Sequence, residues 1–355
     1  MVKKKKRKLK VRNIIVMFVF LSIVIISAVF IKDYLNPYKE ENFIEIGYQT
    51  EEIEFILNLD DQEKDKILTQ DRIENIIKHY TIENYTELNT IGYSDSEIEQ
   101  ILDLDLSIQD YLLNHEYMSE IFEWIEIENF IFKNLDRYLS YHTKYPDVKL
   151  VNVFERVNTN RDFAYYTNVQ SSDTNLKELL LVNKYYVLDE NYIPSDMISI
   201  SPYGSVKMVR TAALAFIELC DQAKEDGYTI MGISGYRSYQ TQKNLYNRYL
   251  QKDPQKVVDT YSARAGHSEH QTGLAIDVSS NNADILTFEM SSSFKWMKEN
   301  AHRYGYILRY QKGKEDITGY KYEPWHYRYV GKEIATLLHQ TGMTYDEYVA
   351  INLMN

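Results

Sequence analysis

Ala265-Gly266-His267-Ser268-Glu269-His270-Gln271-Thr272-Gly273-Leu274-Ala275-Ile276-Asp277-Val278 sets an imidazole, His270, and a carboxylate, Asp277, seven residues apart around a glycine. Leu274 to Val278 reads as a strand whose alternation puts Asp277 on one face, and Gly273 with the small Ala275 permits close backbone approach just before it. Near the C-terminus, Glu323-Pro324-Trp325-His326 brings a third nitrogen ligand with a carboxylate three residues before it. Two His and one Asp leave a fourth tetrahedral position open on zinc, the pattern of a catalytic rather than a structural site. Glu323 is then a spare carboxylate suited to work as a general base. In a regular strand Glu323 and His326 point to opposite faces, and Pro324 is what allows them to converge. Spacing alone leaves a packed or solvated histidine as open as a ligand.

Upstream, the periodicity of Lys207 to Asp226 predicts a helix whose buried face holds Ala212, Phe216, Leu219 and Ala223, with Gly227 as its stop. Cys220 lies inside that helix beside Leu219, which suits a buried, inert thiol, and as the one cysteine of the chain it forms no internal disulfide. Tyr228 to Ile233 reads as a strand that ends in Ser234-Gly235-Tyr236-Arg237-Ser238, and a helix from Tyr239 to Leu250 follows. An arginine carried on a glycine turn at a strand end suits a carboxylate clamp. The stretch Lys149 to Val169, rich in β-branched residues, predicts a short strand.

The residues before it differ in character. Ile46-Gly47-Tyr48 with Glu52-Ile53-Glu54 and Ile56-Leu57 recurs 45 residues later as Ile91-Gly92-Tyr93 with Glu97-Ile98-Glu99 and Ile101-Leu102, and ten of fifteen aligned positions are identical. Each copy reads as a helix pair opened by a glycine turn, and the two copies lean on a following helix from Ile121 to Leu139. The repeats offer either a spacer or a docking surface for a protein partner. At the N-terminus, eight of the 40 Lys and Arg fall in the first twelve residues and precede an apolar run, Ile14 to Ile31, whose only polar members are Ser22 and Ser27. Such a run spans roughly 27 Å as a helix, enough for one membrane crossing, and the basic flank orients its C-terminal side outward. Beyond it the chain carries 32 basic against 52 acidic residues, which excludes a nucleic-acid partner.

Three motifs in order, Ser234 to Ser238, Ser268 to Asp277 and Glu323-Pro324-Trp325-His326-Tyr327-Arg328-Tyr329, resemble the VanY-type D-alanyl-D-alanine carboxypeptidases of the M15 metallopeptidase family, over about Leu181 to Val349. The resemblance implies an α+β zinc peptidase domain of the hedgehog/DD-peptidase-like kind, its site on an antiparallel sheet with helices behind. It implies one Zn2+ per chain on His270, Asp277 and His326, with Glu323 as the base. Arg237 matches the family's substrate-contacting, oxyanion-stabilising arginine, and Ser268 and Gln242 match positions that line the substrate pocket. His267 is read as a non-ligand, and no role is expected for His79, His115, His142, His302 or His339.

The expected organisation is a basic cytoplasmic tail (1–12), a single-pass transmembrane anchor (13–33), a helical repeat stalk (34–145), a connecting segment (146–180) and the zinc peptidase domain (181–355). The expected location is the plasma membrane, with the catalytic domain extracellular and facing the cell wall. There the domain would remove the terminal D-alanine from peptidoglycan stem peptides. L,D-carboxypeptidase or endopeptidase action at the same site, and a wall-binding scaffold built on the repeats, are the alternatives.

Overall fold

The computed structural model describes residues 14–22, 24–25, 36–280 and 284–353. The basic tail (1–12) lies outside the described residues, as does part of the span expected to be an anchor (13–33). Residues 14–22 and 24–25 are helical with exposed apolar side chains, and among the described residues no helix is long and apolar enough to cross a membrane. The chain divides into two compact units, Met1–Met118 and Ser119–Asn355.

In the first unit the 45-residue repeat is a repeat of structure. Helices Glu40–Ile46, Thr50–Leu57 and Asp61–Thr69 recur as Tyr85–Ile91, Asp95–Leu102 and Leu106–Leu113. Gly47 and Gly92 close the first helix of each copy at φ +106° and +123°, a backbone state that L side chains rarely adopt. The buried side chains keep the same offset: Phe43, Tyr48, Ile53, Ile56 and Ile67 are matched by Leu88, Tyr93, Ile98, Ile101 and Leu112. Even the buried tyrosine hydroxyls do the same work, Tyr48 accepting from the backbone N–H of Ile73 and Tyr93 from that of Met118.

The second unit corrects three expectations. Lys149 to Val169 forms helix α1 (Leu150–Asn158) instead of a strand. Its buried Val153, Phe154 and Val157 recur at helical spacing, and that period outweighs the β-branched composition. The helix expected from Ile121 to Leu139 is broken into Ile121–Trp124, a 3-10 turn at Phe132–Asn134 and a helix at Leu135–Lys144. Asn129, at φ +68°, lies in the turn that separates the pieces. The second compact unit begins at Ser119. The third correction is at Lys207, where strand β2 (Lys207–Val209) pairs antiparallel with β1 (Met197–Ser199) before helix α2 (Arg210–Glu225) begins.

The centre of this unit is a four-stranded antiparallel sheet of β3 (Met231–Ser234), β4 (Ala275–Ser279), β5 (Tyr306–Leu308) and β6 (His326–Tyr329), in the order β3-β4-β6-β5. Alternation gives it two faces. Ile276, Val278, Tyr306 and Tyr327 face a core shared with Ala212, Phe216, Leu219 and Cys220 of α2, as the helical periodicity predicts. Burying each large apolar chain there contributes roughly 1.5–3 kcal/mol. Ala275, Asp277, His326 and Arg328 alternate onto the other face. The fold is α+β, with helices behind a sheet whose front carries the polar residues.

Candidate active site

Strand register brings the distant motifs together. Asp277 on β4 is the direct cross-strand partner of His326 on β6, and on its other side pairs with Ser234 at the end of β3. His270 stands on a 3-10 turn, Glu269–Thr272, that ends at Gly273 with φ +68°, where a Cβ would press on Val209 and Pro194. Gly273 O also accepts from Val209 N, which pins the turn to β2. Glu323 enters from a tight turn over Pro324, closed by His326 N donating to Glu323 O at 3.2 Å. The turn is how carboxylate and imidazole reach one point despite their odd spacing.

His270, Asp277 and His326 are all buried, and one donor atom from each lies within 4.8 Å of the others. His270 Nδ1 is 2.7 Å from Gly235 O, and this bond turns Nε2 towards Asp277 Oδ2 at 3.2 Å. His326 presents its other nitrogen: Nδ1 stands 3.1 Å from Asp277 Oδ1 and 3.7 Å from Glu323 Oε2. Two imidazole nitrogens and a carboxylate with a second carboxylate alongside are the donor set of a catalytic zinc site, and their convergence in a buried pocket fits that ion.

The electrostatics agree. Burial opposes a charge on Asp277, but His270 and His326 hold its carboxyl well below the usual range, so it stays an anion. Burial, with Arg237 nearby, lowers His270 and keeps it neutral. His326 is opposed by burial too, yet its bonds to Asp277 and Glu269 outweigh that and hold it up at about 9. Glu323 is pushed up to about 8, chiefly by burial, with Asp277 adding to the rise and His326 opposing it. Its proton affinity is that of a group able to take and return a proton near neutrality.

Around this centre is a cleft of about 360 Å³, lined by Arg237, Ser268, Glu323, Trp325, Tyr310 and Tyr320 among others. Arg237 is held by donating to Gln242 Oε1 at 3.0 Å and by Asp277 Oδ2 3.5 Å away. Gln242, expected to line the substrate pocket, does line the cleft; it is 2% exposed, and its amide bonds to Arg237 and to Ala263 O also buttress the arginine. His267 is turned away, its Nδ1 2.7 Å from Asn183 O. His302 and His339 stack on each other at 3.9 Å beside a separate cavity of about 450 Å³ behind the sheet, away from the cluster. Two contributions were not read from the sequence. Tyr310 packs on the ring of His326 at 4.9 Å, and Glu269 lies beneath it. Adjacency to His270 was the available signal for Glu269; nothing local distinguishes Tyr310 among 32 tyrosines.

A sheet-borne two-histidine, one-aspartate cluster with a buried glutamate at its rim defines the class of site as a candidate catalytic metal centre. A family model described as VanY, D-alanyl-D-alanine carboxypeptidase, matches residues 205–332. The chain is 42% identical over 183 residues to the putative carboxypeptidase YodJ of Bacillus subtilis (strain 168), covering 48% of this chain and 66% of that protein. It is 31% identical over 179 residues to the bifunctional D-Ala-D-Ala dipeptidase and D-Ala-D-Ala carboxypeptidase VanXYC of Enterococcus gallinarum, covering 49% of this chain and 94% of that one. Among solved structures, a vancomycin-resistance D,D-pentapeptidase VanY in complex with Zn(II) is 31% identical, with a TM-score of 0.43 over 48% of this chain and 98% of that one. The chain belongs to the VanY family. It spans between 52% and 66% of the length of the first three curated relatives it matches.

Proposed function

We propose that the chain is a zinc-dependent D,D-carboxypeptidase that removes the terminal D-alanine from peptidoglycan stem peptides. The buried His270, Asp277 and His326 cluster with Glu323 at its rim carries this reading. Membership of a family described by D-alanyl-D-alanine carboxypeptidase activity supplies the substrate class. His270, Asp277 and His326 would hold the zinc, which when bound supplies a Lewis acid and lowers the pKa of water towards about 7. Glu323 takes the proton from the attacking water and returns it to the leaving amine. Arg237, fixed by Gln242 and facing the cleft, stabilises the negative charge that develops on the carbonyl oxygen. Ser268 and the aromatic wall of Trp325, Tyr310 and Tyr320 shape the pocket for a short peptide end.

The same proposal places the enzyme outside the cell, on one N-terminal membrane helix, with the repeats as a spacer. The basic cluster ahead of the apolar run, and the exposed apolar side chains of residues 14–22, support this location. The reaction is tested on stem pentapeptide and tetrapeptide separately, with products read by mass spectrometry. Loss of one alanine from the pentapeptide alone is expected; loss from the tetrapeptide would move the activity to L,D-carboxypeptidase, and cleavage of neither would overturn the proposal. Protease added to intact cells should degrade the C-terminal unit, and full protection would refute the outward placement.

A further inference from the structure

We propose that Glu269 is a positioning residue that fixes the ring of His326 in the tautomer a metal requires. This rests on the reading of His326 as a ligand. Glu269 is 1% exposed and lies under the sheet face that carries the cluster. Its Oε1 accepts two charged hydrogen bonds, from Arg309 Nε at 2.8 Å and from Arg328 Nη1 at 3.0 Å. Both arginines are themselves anchored. Arg309 donates to Asp346 Oδ2 at 2.6 Å, and Arg328 donates to the carbonyls of Glu178 and Leu180. Two cations and two anions thus form a buried, charge-balanced network that cannot shift without leaving a charge unpaired.

The other carboxylate oxygen, Oε2, is 3.5 Å from His326 Nε2. Both atoms are buried and neither has a hydrogen-bond partner, so among the described residues each is left to be satisfied by the other. A carboxylate held as an anion only accepts, so Nε2 keeps its proton against Glu269. Nδ1, 3.1 Å from Asp277 Oδ1 in the cluster, is then the nitrogen left to give up its proton and ligate. A carboxylate on the far nitrogen of a ligating histidine also raises the donor strength of the near one.

Substitution by glutamine separates this role from packing. Glu269→Gln keeps the shape, and its single oxygen is claimed by Arg309 Nε and Arg328 Nη1, the two donors that Oε1 of the carboxylate accepts. The amide NH2 is then turned to His326 Nε2. It makes that nitrogen an acceptor and drives the ring proton onto Nδ1, where it blocks ligation.

The test uses the purified full chain. Zinc affinity, measured by competition with a chromogenic chelator, should fall roughly 10- to 100-fold in Glu269→Gln. Affinity within threefold of wild type, in a variant with an unchanged unfolding transition, would overturn the proposal. If the variant does not fold, the wild-type protein decides alone: histidine-selective 15N NMR of the zinc-loaded chain should show a slowly exchanging proton on His326 Nε2, and a bare Nε2 would overturn it. Neither readout involves peptide cleavage. A chain that binds zinc through this tautomer but cleaves no stem peptide would refute the proposed function and leave the role of Glu269 standing.

Discussion

Lys184 is 1% exposed, and replacing it tests how this domain tolerates a buried amine. Its Nζ donates to Asp259 O at 2.5 Å and lies 3.9 Å from the ring centre of Tyr320 and 4.8 Å from that of Tyr166. Tyr320 lines the cleft, so the lysine packs against the back of the substrate wall. Burial, the largest influence, pushes the amine down from 10.5 to about 7, with the nearby Arg264 helping and Asp259 opposing. At ~1.36 kcal/mol per tenfold change, that fall corresponds to about 5 kcal/mol. In the unfolded chain the amine titrates at its ordinary value. Between pH 7 and 10.5 the unfolded state therefore binds the extra proton, and this group's contribution to stability rises with pH. Each ring face offers roughly 0.5–2 kcal/mol to the charged form and works against the fall.

The perturbation is Lys184→Met, which fills similar space and titrates nowhere. Urea unfolding of both proteins from pH 7.5 to 9.5 should show the wild type gaining on the variant by about 2.5 kcal/mol, close to the linkage limit. A difference that stays constant with pH to within about 0.5 kcal/mol would refute the reasoning. It would mean that the tyrosine rings and the Asp259 carbonyl outweigh desolvation and keep the ammonium charged.

Other consequences are as direct. Because His326 is held up at about 9 while His270 and Asp277 stay unprotonated, zinc must displace one proton from His326 below that pH. Calorimetry in buffers of different ionisation enthalpy should find at least one proton released per zinc between pH 6 and 8, the second coming from Glu323, which is held at about 8, with affinity falling as pH falls; no release would contradict the ligand assignment. In the repeats, Tyr48→Phe and Tyr93→Phe each remove the acceptor of a backbone N–H at the same place. Each should destabilise its copy by about 1 kcal/mol in chemical denaturation, and a loss in one copy alone would break the equivalence of the two.

Much of this organisation is written locally. The strand around Asp277 and the helix behind it follow from period, and the 45-residue repeat carries most of its buried set with it. Where composition and period disagreed, as in Leu150–Asn158, the period decided. The breaks after Trp124 and at Asn129 were not legible, since an asparagine at positive φ leaves no mark as plain as glycine. The cluster itself was legible as three motifs. Its support was not: Glu269, Arg309, Arg328 and Asp346 lie up to 77 residues apart and meet only through sheet register and the packing of the C-terminal helix Tyr345–Asn352. Gln242 lines the cleft as expected, and its bonds to Arg237 and Ala263, which hold the arginine in place, were not legible.

The central claim is that Glu323 acts as the base beside a metal held by His270, Asp277 and His326. The measurement that reaches it most directly is D-alanine release from stem pentapeptide by zinc-loaded wild type and Glu323→Gln, with bound zinc quantified in both. Removal of a general base predicts a loss of kcat of roughly 100- to 10,000-fold with zinc still bound at one per chain. A Glu323→Gln protein that holds zinc and turns over within tenfold of wild type would contradict the account.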